Sequence, residues 1–245
     1  MKILDELISN IKEDSIVREV RVCVFWTAVL SKNCGLASTF REEHPHHKKV
    51  RAPGKLKGMS AIKLAEYAKS DILLEASIGM AAINSLIEID ESRCIDKNAF
   101  HILAEKGAGK DIAIVGHFPW VPELKKITRK LFVIEQRPQQ GDLPAEASED
   151  ILPKVDVVGI TGAAFTNHTI ENLLKLSTGK FIVILGPTSP LSTVLFDYGV
   201  DVISGSKVVD PEKTILSISE GATFRQVKGV KYLNMFRDSI NAGSG

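Results

Sequence analysis

Apolar and polar positions change rhythm near residue 108 of the chain. Beyond that point short apolar runs alternate with amphipathic stretches. Asp111-Ile112-Ala113-Ile114-Val115-Gly116 reads as a buried strand closed by glycine, and Leu131-Phe132-Val133-Ile134-Glu135 as the next. Val155 to Gly162, Phe181 to Gly186 and Val200 to Gly205 supply three more. Pro122 stands in the first turn of a helix, with Glu123 early and Lys125, Lys126, Arg129 and Lys130 late, an order favoured by proline's fixed φ and by the helix dipole. Asn167 is placed to cap a helix with an apolar face of Ile170, Leu173 and Leu174. Ser189-Pro190 reads as the cap and first residue of another helix, which Gly199 closes. Apolar strands separated by helices predict an α/β fold with a parallel sheet covered on both faces.

The preceding residues follow a different order. Ile3, Leu4, Leu7, Ile8 and Ile11 form the apolar stripe of an opening helix. Val20 to Leu30 is rich in β-formers and reads as a strand, with a second around Gly35 to Thr39. Ala61, Leu64, Ala65 and Ala68 mark one helix, and Leu73, Ala76, Met80, Ile83 and Ile87 another, capped by Ser70 or Asp71. Strands precede helices, which predicts an α+β domain over residues 1–107, joined through the link Glu105 to Lys110 to an α/β domain over 108–245. The segment Val227 to Phe236 is placed to cover a sheet edge or to form a dimer contact, so a homo-oligomer is among the candidate partners.

Composition narrows the function classes. Thirty-one basic and 30 acidic residues give a net charge of +1, which argues against binding nucleic acid or membranes through bulk charge. No apolar run reaches the length of a membrane span, and Asp5 and Glu6 fall where a signal peptide needs apolar residues. Three cysteines (Cys23, Cys34, Cys94) make no disulfide framework, so a soluble protein of a reducing compartment, the cytoplasm, is expected.

In an open parallel sheet, ligands bind beyond the carboxyl ends of the strands, where strand order reverses. Those ends here read Gly116-His117-Phe118-Pro119, Glu135-Gln136-Arg137-Pro138, Thr161-Gly162-Ala163, Gly186-Pro187-Thr188-Ser189 and Ser204-Gly205-Ser206. Glycines admit close approach of a ligand, hydroxyls can donate, and the amides of Gly116, Gly162 and Gly186 are candidate anion donors. Glu135 lies 19 positions after Gly116, the spacing of the acid that holds a ribose hydroxyl in dinucleotide folds. The Gly-x-Gly-x-x-Gly fingerprint is nevertheless missing, and Pro119 removes an amide from the loop, so an ordinary NAD site is not expected. His117 is a candidate metal ligand or proton carrier; with Glu135 it forms the candidate acid–base pair if the protein is an enzyme. His168 is expected to cap a helix or face solvent.

A second candidate metal site is His44-Pro45-His46-His47, preceded by Glu42 and Glu43, since imidazole and carboxylate suit zinc, nickel, copper or iron. The basic run His46 to Arg51 lacks interleaved aromatics, so no nucleic-acid partner is expected. No phosphate-binding loop, nucleophile elbow or His-Glu-x-x-His helix is present.

The chain resembles the DUF364 family, the "putative heavy-metal chelation" domain, with its N-terminal companion DUF4213. Carrying the resemblance are Leu74-Glu75-Ala76-Ser77-Ile78-Gly79-Met80-Ala81-Ala82-Ile83-Asn84-Ser85, Gly116-His117-Phe118-Pro119, Glu135-Gln136-Arg137-Pro138 and Gly141-Asp142. Thr161-Gly162, Asn167, Leu185-Gly186-Pro187-Thr188-Ser189-Pro190-Leu191 and Phe196-Asp197-Tyr198-Gly199-Val200 continue it. The resemblance implies an N-terminal domain like that of enolase, a Rossmann-like C-terminal domain and a ligand site where the two meet. It also draws Gly79 and Asn84 into view, the first as a close helix contact and the second as a residue facing the cleft. The leading expectation is a binder of a small ligand or metal complex, with a heavy or transition metal ion as its candidate cofactor. Gly116, His117, Phe118, Glu135, Thr161, Gly162, Asn167, Gly186, Thr188, Ser189 and Asn84 are the expected contacts. An enzyme acting on a nucleotide- or pterin-like molecule in the same cleft is the alternative.

Overall fold

The structure is a computed structural model that describes residues 1–40 and 49–238. His44, His46 and His47 lie outside the described residues. Helix α1 (Lys2–Ser9) buries the predicted stripe of Ile3, Leu4, Leu7 and Ile8. The β-rich stretch that follows is two strands rather than one. β1 (Glu19–Val22) and β2 (Trp26–Leu30) pair antiparallel, and β3 (Cys34–Ser38) lies on the other side of β2. The chain reverses between Val22 and Trp26, where the Cys23 amide donates to the Trp26 carbonyl at 2.9 Å. Local β propensity does not distinguish a long strand from a tight hairpin. Packing does, because Ala28 and Val29 are buried while Val22, Val24 and Phe25 are exposed.

Helix α2 (Ala61–Ala65) starts at Ser60, whose hydroxyl accepts the Lys63 amide. Helix α3 (Leu73–Leu86) is buried over most of its circumference, which explains its lack of a polar face. A Cβ on Gly79 would fall 1.8 Å from the Ala68 nitrogen, so glycine lets α3 lie directly against the turn after α2.

A short strand β4 (Cys94–Ile95) and helix α4 (Ala99–Gly107) lead into the large sheet. The Gly-containing stretch read as a link is in part the end of α4, because Asn98 caps that helix and Ile102 and Leu103 bury against the sheet. The chain then runs β5 (Asp111–Val115), α5 (Val121–Lys125), β6 (Lys130–Glu135), β7 (Leu143–Pro144), α6 (Ser148–Ile151) and β8 (Val157–Thr161). It ends α7 (Ala163–Thr166), α8 (Ile170–Leu176), β9 (Phe181–Leu185), β10 (Val202–Val208), α9 (Pro211–Ser219) and β11 (Val230–Phe236). Among the described residues the sheet order is β4-β11-β10-β9-β8-β5-β6-β7. The strands from β10 to β7 are parallel; β11 and β4 are antiparallel additions. This is the expected α/β sheet, and the tail strand β11 covers an edge of it. Helices flank both faces: Ile112 and Ile114 point to the layer of α4 and α5, while Ala113, Ile134 and Ile160 join the core shared with α3 and α8.

The helix expected from Ser189-Pro190 is absent. Pro187 to Leu191 is a buried turn, and a 3₁₀ turn over Thr193–Tyr198 follows, capped by Ser192 and closed by Gly199 at φ 88°. The Asn84 amide on α3 donates to the carbonyl of Thr188 at 3.2 Å, a tertiary contact that fixes this turn. Among the described residues no helix is long and apolar enough to cross a membrane.

Candidate functional site

From β5 the chain proceeds outward to β6 and β7, and from β8 it proceeds the other way to β9 and β10, so strand order reverses between β5 and β8. Above that point lies a cleft of about 620 Å³. Gly116, His117 and Phe118 line it after β5, Glu135 at the end of β6, Thr161 at the end of β8 with Asn167 beyond it, and Gly186 and Thr188 after β9. Gly116 sits at φ 108°, and a Cβ there would be 3.0 Å from Cβ of Thr161. Glycine is therefore required both by conformation and by the neighbouring strand.

Three of the expected residues stand behind the cleft wall rather than on it. A Cβ on Gly162 would fall 2.6 Å from the nitrogen and Oγ of Ser189, so these two residues support each other. Asn84 donates to the carbonyls of Leu36 at 2.8 Å and Thr188 at 3.2 Å, holding β3 and the β9 loop together. The three glycine amides do not face a ligand either. Gly116 donates to Ile134, Gly162 to Leu185 and Gly186 to Ser204, at 2.9, 2.7 and 2.9 Å. Each extends the strand pairing by one residue, and a backbone amide has one hydrogen to give.

The polar chemistry of the cleft rests on side chains. His117 Nδ1 lies 3.1 Å from Oδ2 of Asp142, whose side chain is only 5% exposed and also accepts the Gln139 amide at 3.0 Å. A carboxylate can only accept, so Nδ1 is the donor here, and in the neutral imidazole the lone pair is then on Nε2. Glu135 accepts the amides of His117 at 3.0 Å and Gln136 at 2.8 Å, one on each oxygen. It closes the β5 and β6 loops on each other. Asn167 accepts the Thr169 amide and hydroxyl at 3.2 and 2.7 Å, so it caps the start of α8 from two residues further out than a cap usually sits. His168 is neither cap nor surface residue: at φ 64° its Nε2 lies 2.8 Å from the Ala68 carbonyl, tying the β8 loop to the N-terminal half.

Sequence reasoning missed the other wall. Trp26 and Ser38 reach the cleft from β2 and β3 and Phe40 from just beyond β3, while Glu146, Glu149 and Asn172 come from the segment around α6 and from α8. The Ser38 amide donates to Thr188 Oγ1 at 2.9 Å, joining the two walls. The signal for Asp142 was its place in Gly141-Asp142; for Trp26 and Phe40 no local signal exists, since only folding brings them within reach. With Glu135, Glu146 and Glu149 and no lysine or arginine among its described lining, the cleft favours cations. Even so, among the described residues no three His, Cys, Asp or Glu side chains converge closely enough to cage a metal ion.

Phe40 is fixed from behind. Its amide donates to Ser77 Oγ at 3.0 Å, and two residues earlier on α3 buried Glu75 takes the Arg51 amide and guanidinium and the Ser70 hydroxyl. Burial raises the Glu75 carboxyl, but the Arg51 and Ser70 hydrogen bonds outweigh it and hold the group below its ordinary value.

Family comparison matches residues 98–235 to DUF364 and residues 4–87 to DUF4213, both described as "putative heavy-metal chelation". Among solved structures, a DUF364-family protein of unknown function from Desulfitobacterium hafniense DCB-2 is 29% identical with a TM-score of 0.83. The match covers 96% of this chain and 98% of that one. A second, of unknown function from Pyrococcus horikoshii, is 21% identical with a TM-score of 0.81 over the same shares of 96% and 98%, a likeness of fold alone. No curated protein matches.

Proposed function

This chain is a member of the DUF364 family, and on that premise we propose that it binds a heavy or transition metal ion already held by a small organic ligand, in the cleft above the β5–β8 switch point. The observation that carries the reading is the His117–Asp142 pair. A buried carboxylate that fixes the far nitrogen of an imidazole is the usual outer partner of a metal-ligating histidine, because it sets the tautomer and raises ligand basicity. The described residues do not supply enough converging donors for a bare ion, so the remaining ligands come with the cargo. Glu135, with both oxygens on backbone amides, shapes the loop around His117 rather than serving as acid or base. In this reading residues 1–107, the enolase N-terminal-like domain, supply the wall with Trp26 and Phe40, and the Rossmann-like residues 108–245 supply His117. The three cysteines are free thiols, in keeping with a cytoplasmic protein.

The test is calorimetric titration with Zn²⁺ alone and with zinc nitrilotriacetate. Both the reference protein and H117A carry H44A, H46A and H47A, which removes the histidines of residues 41–48. The reference is expected to bind the complex more tightly than the bare ion. Because loss of an outer partner alone weakens metal sites about 10–100-fold, H117A is expected to lose at least about tenfold. Equal affinities in the two proteins refute the reading.

A further inference from the structure

A second cavity, of about 440 Å³, opens on the other side of Phe118 and the Gly186-Pro187 turn, and it differs in chemistry from the main cleft. Its walls are aromatic. Phe118 and Trp120 stack with centroids 4.8 Å apart and planes 15° from parallel. Across β9 and β10, Phe224 packs on Trp26 at 5.1 Å and edge-on to Tyr232 at 5.2 Å. Its charged lining residues are Lys97 and Arg225, with no carboxylate among the described ones, the reverse of the main cleft.

These groups are held in place before any ligand arrives. Trp26 Nε1 donates to the Ala222 carbonyl at 3.1 Å. Thr223 and Gln226 form a capping box that fixes the turn carrying Phe224 and Arg225, with the Thr223 amide and hydroxyl 3.0 and 2.9 Å from Gln226 Oε1. Buried Asn234 takes the Ser204 hydroxyl at 2.5 Å and donates to the Lys97 carbonyl, anchoring the other cation's backbone. Lys97 has Glu105 at 3.6 Å as a partner, whereas Arg225 makes no ion pair among the described residues.

We infer that this cavity is a binding site for a planar aromatic anion, its ring between the Phe118–Trp120 pair and Phe224 and its charge on Arg225. Ring faces reward a flat π-system with stacking, and a guanidinium recognises a carboxylate in two parallel hydrogen bonds. The volume lies within the range of small-molecule pockets. The inference does not rest on metal binding, though a ligand long enough to pass Phe118 would have its other end in the acidic cleft.

The experiment titrates the whole chain with 2-naphthoate, and with neutral 2-naphthalenemethanol, in buffer containing EDTA, by calorimetry and saturation-transfer NMR. A ligand of this size is expected to bind with a dissociation constant of about 1 mM or tighter. R225E, at an exposed position, is expected to weaken the anion about tenfold and leave the alcohol within about twofold. Phe224→Ala is expected to weaken both. H117A is expected to leave both unchanged, which separates this site from the one proposed above. Absence of saturable naphthoate binding, an R225E protein that binds it as well as wild type, or loss of binding in H117A overturns the inference.

Discussion

Replacing Glu75 by glutamine tests whether the packing behind the cleft is as electrostatic as its geometry suggests. The side chain is 1% exposed and receives the Arg51 amide, the Arg51 guanidinium on both oxygens, and the Ser70 hydroxyl at 2.7 Å. In E75Q one oxygen keeps the Arg51 amide, while the new NH₂ group, itself a donor, faces Nε of Arg51 or the Ser70 hydroxyl. The serine can rotate to accept; the guanidinium cannot. Bonds to a charged acceptor contribute roughly 1 kcal/mol more than neutral ones, so weakening two of them costs about 2 kcal/mol. The Arg51 side chain is 58% exposed and stays hydrated, so no buried unpaired cation is added to that figure. For a chain of this length the loss corresponds to a Tm lower by about 4–8 °C. The sign of the pH dependence follows from the lowered carboxyl. Its contribution is fully present above the ordinary value of 4.5 and is lost as pH falls through the lower folded value. Thermal melts of wild type and E75Q should therefore differ by a constant amount between about pH 8 and pH 5 and converge in more acid buffer. A difference that persists undiminished in acid, or none at neutral pH, would refute the electrostatic account and leave Glu75 a space-filling residue.

Further consequences concern other parts of the molecule. D142N, which keeps the shape of the His117 partner and removes its charge, should weaken zinc nitrilotriacetate binding by about 10–100-fold without moving Tm by more than a few degrees; calorimetry beside thermal melts checks both halves. Gly79→Val places a branched side chain where even a Cβ lies 1.8 Å from the Ala68 nitrogen, so the denaturant midpoint should fall by the equivalent of about 3 kcal/mol or more, and an unchanged midpoint would contradict the close helix contact. Cys34 is 5% exposed and burial pushes its thiol up to about 12, so at pH 8 a disulfide reagent should leave it unlabelled until the chain unfolds, as peptide mapping would show.

Much of the fold was written locally. All the parallel strands except the two-residue β7 are continuous apolar runs because both faces of the sheet are covered, and a run of that kind needs no partner to be legible. The loops at their carboxyl ends marked the sheet edge where the cleft lies, and Gly116 and His117 after β5 and Glu135 at the end of β6 were visible as its residues. What the residues do there was not. An amide at Gly116 or Gly162 looks free in sequence, and only strand pairing shows that its hydrogen goes to Ile134 or Leu185. Asn84 reads as a cleft residue until the β9 loop is seen to hang from it, and Ser189-Pro190 reads as a helix start until the same contact holds it in a turn. Asp142 behind His117, and Trp26 and Phe40 on the facing wall, depend on contacts between segments far apart in the chain. The sequence by itself determined the apolar strands of the parallel sheet and the buried faces of α1 and α3, because side-chain pattern is a local property. Only the tertiary structure decided which polar groups meet, because a hydrogen bond is settled by distance in space.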